Sequence, residues 1–189
     1  MPMKIIIENN EITYIKEKSK FIGYVFKVNN LDEITNHLNA LKQEYHDATH
    51  ICYAYILPNA KKYFDDNEPS GCAGKPILEI LEKNNLNYVL AIVVRYFGGI
   101  KLGSNGLIRA YSNTIKEALL NNIKELENGY LIIIEDDYNK NNEINYLLKD
   151  SKIIRKDYQD KIYIEALVSC ETLDKLSNIN YIIKENVLM

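Results

Sequence analysis

The sequence predicts an α+β protein built from two successive units. Stretches of alternating apolar residues, typical of strands, are interspersed with stretches in which apolar residues recur every three or four positions, typical of helices. A polar stretch around residues 121–129 interrupts this pattern, and the elements that follow it have the order β-α-β-β-α-β. The 189 residues, 47% of them hydrophobic, can bury a substantial core. We therefore predict one domain at residues 1–121 and a second at 122–189.

The first unit is predicted to contain five strands and three helices. Alternating β-branched and aromatic residues favour strands at residues 12–16, 21–28, 49–57 and 61–64. Residues 88–94 are continuously apolar, which is typical of a central strand buried on both faces. Apolar residues at helical spacing predict helices at residues 31–45, at a segment with Pro76 in its first turn, and at 107–121.

The second unit has the element order of a ferredoxin-like module. Strand patterns occur at residues 130–134, 153–158, 162–169 and 181–184, and helix patterns at 138–149 and 173–177. The resulting βαββαβ order predicts a small antiparallel sheet covered by two helices.

A basic, glycine-rich segment at residues 95–109 joins the predicted central strand to the next helix. The first N–H groups of a helix lack intrahelical partners and carry the positive end of the helix dipole, so such junctions bind anions. A structural turn whose glycines adopt positive φ and whose cations are solvated is the alternative interpretation. The residues expected to contact an anion are Arg95, Gly98, Gly99, Lys101, Gly103, Ser104 and Arg109.

An acidic loop at residues 65–74 precedes the second helix, and its side chains allow two interpretations. Three carboxylates within four residues can hold Mg²⁺, which prefers oxygen ligands. The loop can instead cap the following helix, and one of its carboxylates can neutralise Arg95, since a partly buried arginine needs an anionic partner. The residues of this supporting acidic loop are Asp65, Asp66, Glu68 and Ser70.

The cysteines and histidines do not form a recognisable metal or disulfide pattern. The chain has three widely spaced cysteines and no Cys-x-x-Cys, so we expect reduced thiols. Taken alone, Cys72 in the acidic loop is a candidate nucleophile, because a cysteine in a glycine-containing loop before a helix can have a lowered pKa. His46 and His50 are four residues apart, but the helix is expected to end between them, which separates them as ligands. We predict no metal site.

The overall charge argues against indiscriminate nucleic-acid binding. The net charge is −3, but residues 1–121 carry fourteen Lys and Arg against thirteen Asp and Glu, whereas residues 122–189 carry nine against thirteen. A polyanion is therefore expected to meet the first unit. No apolar stretch approaches the ~20 residues needed to span a bilayer, and the N-terminus lacks a signal-peptide core, so the expected location is cytoplasmic, without membrane contact.

Three motifs together resemble the IMPACT family, in its bacterial YigZ-like branch with a C-terminal ferredoxin-like domain. They read His-Asp-Ala-Thr-His at 46–50, Asp-Asp-Asn-Glu-Pro-Ser-Gly-Cys-Ala-Gly at 65–74 and Arg-Tyr-Phe-Gly-Gly-Ile-Lys-Leu-Gly at 95–103. The resemblance implies that the first unit has the fold of ribosomal protein S5 domain 2. The sequence departs from the family pattern at Asn67, at Cys72 and at the Ser104-Asn105 pair. Asn67 still tolerates a left-handed turn.

The resemblance also implies a role in translation. Eukaryotic members of the family regulate translation by competing for a ribosome-associated activator of a stress kinase, and for the bacterial branch RNA or ribosome binding is the usual suggestion. We therefore expect a regulatory protein that binds RNA, the ribosome or a translation factor through the basic loop. Tyr96 or Phe97 would stack on an unpaired base.

Two other functions remain open at the level of sequence. The first is a phosphoryl-transfer or phosphate-hydrolysing enzyme, in which the acidic loop holds Mg²⁺ opposite the glycine-rich segment. Kinases of the GHMP type share the S5-like fold, but no segment here matches their phosphate loop well, so catalysis is not the favoured interpretation. The second is a protein-interaction regulator without nucleic-acid contact. No cofactor is expected, apart from Mg²⁺ in the enzymatic interpretation.

Overall fold

The computed structural model describes residues 3–189, so Met1 and Pro2 of the predicted first domain lie outside the described residues. The contacts divide the chain after Glu125 into two compact units. Strand β7 (Ile123–Glu125) pairs with β1 (Lys4–Ile6), which places residues 122–125 with the first unit rather than after the predicted boundary. Neither strand was predicted, because three residues are too few to show an alternating pattern.

The first unit contains a five-stranded antiparallel sheet whose central strand is the predicted apolar one. The strand order is β2-β3-β6-β4-β5, so β6 pairs with β3 on one side and β4 on the other. All residues of β6 except the last are buried. The strands are β2 (Asn10–Lys16), β3 (Ser19–Lys27), β4 (His50–Leu57), β5 (Ala60–Phe64) and β6 (Val89–Tyr96).

Helices cover both faces of this sheet. Helix α1 (Leu31–Glu44) packs on one face through Ile34 and Leu41, and the Asn30 side chain caps its first turn. Helices α2 (Gly74–Lys83) and α3 (Gly103–Ala118) pack on the other face. Side chains alternate along β6, so Val89, Ala91 and Val93 face helices α2 and α3. Arg95 follows them on the same face of the sheet.

Helix α3 begins earlier than the sequence predicts. It starts at Gly103 rather than at 107 and ends at Ala118 rather than at 121. Gly103, Ser104 and Arg109 are therefore helical, and the loop between β6 and α3 consists of residues 97–102 only. The sequence pattern did not predict this start because Gly103 and Gly106 lie in the first turn, and glycine is unfavourable inside a helix. Burial of Leu107, Ala110 and Tyr111 against the sheet outweighs that local preference.

The second unit is a four-stranded antiparallel sheet of order β11-β8-β10-β9, which is the ferredoxin-like arrangement. Its core consists of inward-facing residues such as Ile132, Ile134 and Ile164. The elements are β8 (Asn128–Asp136), a 3-10 turn (Tyr138–Lys140), α4 (Asn141–Leu147), β9 (Lys152–Tyr158), β10 (Ile162–Ser169), α5 (Cys170–Lys175) and β11 (Tyr181–Leu188).

The predicted α+β class and the ferredoxin-like order are thus confirmed, while the S5 domain 2 assignment stays a prediction from the resemblance. In the described part of the chain, every helix is too short or too polar to cross a membrane.

Candidate functional site

The three sequence motifs meet at one end of the five-stranded sheet of the first unit. Thr49 links two of them: its N–H donates to the Arg95 carbonyl at 2.9 Å, and its Oγ1 accepts from the Phe97 N–H at 3.0 Å. Asp66 connects the motif at 65–74 to the start of β4, because its carboxylate accepts a hydrogen bond from the Ile51 N–H at 2.6 Å. Segments far apart in sequence therefore form one continuous surface where β4 and α3 begin and β6 ends.

A buried ion pair lies beneath this surface. Glu68 Oε1 lies 2.5 Å from Arg95 Nη1, and the two residues are only 8% and 5% exposed. Tyr111 of α3 donates its hydroxyl to the same Oε1 at 2.7 Å. Burial raises the pKa of the Tyr111 phenol, with the nearby Cys52 and Glu68 adding to the effect, so the phenol remains a donor. The sequence offered three carboxylates as partners of Arg95, and Glu68 is the one that binds it.

His50 contacts the acidic loop through both of its ring nitrogens. Its Nδ1 lies 2.7 Å from the Asp66 carbonyl oxygen, and its Nε2 lies 3.9 Å from Glu68 Oε2. Helix α1 ends at Glu44, before His46, so the two histidines of the motif do not share a helical face.

Asp65 caps helix α2. Its two carboxylate oxygens accept the backbone N–H groups of Gly71, Ala73 and Gly74 at 2.7 to 3.1 Å, which satisfies donors that the helix leaves unpaired. Asp66 and Asn67 adopt φ of 43° and 65°, in agreement with the left-handed turn predicted for Asn67. Ser70 is exposed.

The carboxylates of the acidic loop therefore have separate protein partners rather than a common focus. Asp65 binds backbone N–H groups, Asp66 binds strand β4, and Glu68 binds Arg95 and Tyr111. Within residues 3–189, no group of three or more His, Cys, Asp or Glu is arranged to hold a metal ion. This donor set does not fit a Mg²⁺ site, because each of the three carboxylates already accepts hydrogen bonds from a different part of the folded chain.

The glycines of the loop at residues 97–102 have two different functions. A Cβ on Gly98 would lie 2.0 Å from the carbonyl carbon of Lys18, so glycine is required for contact with the turn between β2 and β3. The Gly98 N–H also donates to Ser19 Oγ at 3.1 Å. Gly99 and Gly103 have φ of 86° and 68°, and both face open space. The contact with Lys18 was not foreseen, since it joins residues far apart in sequence.

A pocket of about 380 Å³ opens at the start of α3. Five of the predicted anion-contact and stacking residues line it, together with Glu68. Arg109 does not, because it lies on the exposed side of α3. The other predicted site residues are also outside the lining, namely Gly98, Gly99, Tyr96, Asp65, Asp66 and Ser70. The pocket residues are Thr49, His50, Glu68, Pro69, Arg95, Phe97, Lys101, Leu102, Gly103, Ser104 and Leu107.

The two candidate stacking residues differ in accessibility. The Tyr96 hydroxyl donates to Asp47 at 2.7 Å, and this bond raises the pKa of Tyr96 to about 12 while its ring packs on the α1 face. Phe97 is 46% exposed, with the Arg95 guanidinium 5.6 Å from its ring centroid. Phe97 is therefore the one of the pair that lines the pocket and remains open to a ligand.

The cysteines of the first unit are poorly placed for catalysis. Cys52 is fully buried, and burial raises the pKa of its thiol despite the neighbouring Tyr111 hydroxyl. Cys72 is also buried, with its Sγ directed at the Ser70 carbonyl oxygen 3.9 Å away. A reactive thiolate needs an accessible, electropositive environment, which neither residue has.

Comparison with known proteins finds a matching domain family and relatives that cover most of the chain. The Impact N-terminal domain family matches residues 17–119, which include all three motifs. The IMPACT family member YvyE of Bacillus subtilis is 36% identical over 195 residues, covering 96% of this chain and 89% of the relative. The IMPACT family member YigZ of Escherichia coli is 32% identical over 176 residues, covering 88% and 86%.

A solved crystal structure extends the similarity to the fold. The structure of a hypothetical protein matches with a TM-score of 0.62 and 27% identity, covering 98% of each chain. Sequence motifs, family match and nearly full-length relatives thus agree. The chain belongs to the IMPACT family.

Proposed function

We propose that this protein takes part in the regulation of translation by binding RNA on the ribosome. The contact surface, here called the basic end, consists of Lys18, Lys20 and Lys101 around the loop at residues 97–102. The observation that supports this most is their placement. Lys18 lies against Gly98, Lys20 is paired with Tyr96, and Lys101 lies in the loop itself, so three exposed lysines lie at the same end of the sheet. Exposed lysines can exchange counterions for phosphates.

The fold assembles these lysines from separate segments. Lys18 lies in the turn against which Gly98 packs, and Lys20 pairs with Tyr96 across β3 and β6. Lys101 precedes α3, whose dipole adds positive potential at the same place. Because Gly98 tolerates no side chain there, the spacing between Lys18 and Lys101 is held by backbone contact.

The rest of the protein supports a localised contact. The net charge is −3, and all of the acidic excess lies after residue 121. An acidic second unit repels a polyanion, so binding is expected to depend on the basic end. A role in translation is supported by membership of the IMPACT family, because eukaryotic members of this family regulate translation.

Co-sedimentation with purified ribosomes tests this proposal. We expect the triple variant Lys18→Ala, Lys20→Ala, Lys101→Ala to bind ribosomes more weakly than the wild type. We also expect the slope of log affinity against log salt to fall by about 2, given roughly 0.7 per phosphate contact in single strands.

A matched control comes from the opposite end of the unit. The variant Lys27→Ala, Lys83→Ala, Lys116→Ala removes the same charge from exposed residues near the far ends of β3, α2 and α3. Equal binding by the two variants would contradict the proposal. Retention of a partner after nuclease treatment, with no RNA binding, would identify a protein-interaction regulator instead.

A further inference from the structure

We infer that the pocket at the start of α3 binds one nucleotide unit, with its phosphate at the helix N-terminus and its base against Phe97. The inference deepens the proposed function, because the end of an RNA chain is one source of such a unit and a free mononucleotide is the other. It concerns the pocket itself and, of the three lysines of the basic end, involves only Lys101.

The phosphate position follows from the unpaired donors of α3. The N-cap residue of this 16-residue helix, Leu102, makes no side-chain capping bond within residues 3–189, and the first turn contains no acidic residue. The other helices of the first unit differ: the Asn30 side chain caps α1, and Asp65 binds the N–H groups at the start of α2. The first N–H groups of α3 are thus open to an anion, and Lys101 beside them is exposed.

Arg95 gives a second, independent indication of a ligand. This residue lines the pocket and is 95% buried, yet its Nε has no hydrogen-bond partner, unlike the other buried side-chain nitrogen and oxygen atoms of residues 3–189. A buried donor without an acceptor is energetically unfavourable. An acceptor group entering the pocket would relieve this cost after a small adjustment of the guanidinium.

The apolar part of the pocket lining suits a base. Phe97, Leu102, Leu107 and Pro69 supply an aromatic and aliphatic surface. The Arg95 guanidinium, 5.6 Å from the Phe97 ring centroid, supports that ring. Stacking of a base on an aromatic side chain favours binding whatever the base, because every base has a flat π face. The volume of about 380 Å³ lies within the range of small-molecule sites, so a single nucleotide is an appropriate occupant.

The charge balance of the pocket also favours one phosphate. Glu68 is the acidic residue of the lining, and it already binds Arg95 Nη1 and the Tyr111 hydroxyl. Lys101 and the helix dipole therefore remain as uncompensated positive charge. One phosphate group neutralises them without placing an unpaired charge in the protein.

Amide NMR of the full chain titrated with mononucleotides tests the inference. We expect AMP or UMP to shift the amide signals of Gly103, Ser104 and Asn105 and the ring signals of Phe97. Inorganic phosphate should shift only the three amides and bind more weakly, and adenosine should have little effect. Shifts of the amides by phosphate and AMP with the same affinity would overturn the inference and leave a simple anion site.

Variants separate the two parts of the ligand. Phe97→Ala should weaken AMP binding about tenfold, consistent with loss of one stack, and leave phosphate binding unchanged. Its control is Tyr63→Ala, which removes a similarly exposed aromatic ring away from the pocket. Lys101→Ala should weaken both ligands, whereas Lys116→Ala should affect neither. An unchanged AMP affinity in Phe97→Ala would overturn the base position.

The two sources are distinguished with short RNAs. An RNA with a 5′-phosphate should shift the same amides as AMP if the terminal nucleotide enters the pocket, and an otherwise identical RNA with a 5′-hydroxyl should shift them less. Response to AMP but to neither RNA identifies a free mononucleotide as the ligand. Ribosome binding without any mononucleotide response would overturn this inference and leave the proposed function intact. A mononucleotide response without ribosome binding would overturn the proposed function and leave this inference intact.

Discussion

Glu68 and Arg95 form a buried ion pair at 2.5 Å, which joins the acidic loop to the C-terminal end of the central strand β6. The pair connects two of the three motifs that define the family in this chain. Both residues line the pocket, so the pair is part of the architecture of the site, whatever the ligand.

Breaking this pair on one side should be costly. Arg95→Met leaves Glu68 buried without its cationic partner, so we expect a loss of about 3–5 kcal/mol in the free energy of unfolding. The double variant Glu68→Leu, Arg95→Met should lose less than the single one, because no unpaired charge remains. Urea denaturation followed by circular dichroism measures both, and a double variant less stable than Arg95→Met would contradict the argument.

Gly98 and Gly99 should differ in their tolerance of alanine. A Cβ on Gly98 would lie 2.0 Å from the Lys18 backbone, so we expect Gly98→Ala to cost about 3 kcal/mol and to displace the turn before β3. Gly99→Ala meets no atom within 4 Å and should cost only about 1 kcal/mol, for its φ of 86°. Melting temperatures of the two variants give the comparison. Equal decreases in melting temperature would show that the turn before β3 does not require glycine at residue 98.

Asp136 should make the second unit sensitive to acid. Burial by itself would raise the pKa of Asp136, but hydrogen bonds from the Asn180 N–H, Lys140 Nζ and the Asp137 N–H lower it below 3.8. A carboxyl group with a lowered folded-state pKa contributes stability above its unfolded pKa, and this contribution is lost as pH falls through the folded value.

We therefore expect the stability advantage of the wild type over Asp136→Asn to be full near pH 6 and to shrink below about pH 4. Urea midpoints at pH 6, 4 and 3 measure it. Asp150→Asn is the control, since that carboxylate is highly exposed, and it should show little difference at any pH. A constant gap between wild type and Asp136→Asn would be inconsistent with the hydrogen bonds described.

The three cysteines should react at different rates with a thiol reagent such as DTNB. Cys52 and Cys72 are buried, and the pKa of the Cys52 thiol is raised by burial, whereas Cys170 is exposed. We expect one thiol to react rapidly in the native protein and all three in urea. Cys170→Ser should abolish the rapid phase. A rapid phase that persists in this variant would indicate that Cys52 or Cys72 is accessible, and would reopen a catalytic role for Cys72.

Local pattern was sufficient for much of the fold. The apolar stretch at 88–94 predicted the central strand, and alternation placed Arg95 on the same face as Val93 because neighbouring strand residues point to opposite sides. Pattern failed at the start of α3, where Gly103 and Gly106 argue against a helix. Burial of Leu107 and Tyr111 against the sheet decided that boundary, and this burial is not visible in local sequence.

The sequence by itself determined the α+β class, the ferredoxin-like order of the second unit and the three motifs of the family. Only the tertiary structure decided that Glu68, among three carboxylates, neutralises Arg95, that Tyr111 joins them, and that Lys18 lies beside Gly98. It also separated Arg109 from the pocket and placed Phe97 within it. The physical reason is that helix and strand patterns reflect neighbours along the chain, whereas partners across the sheet depend on strand order and register.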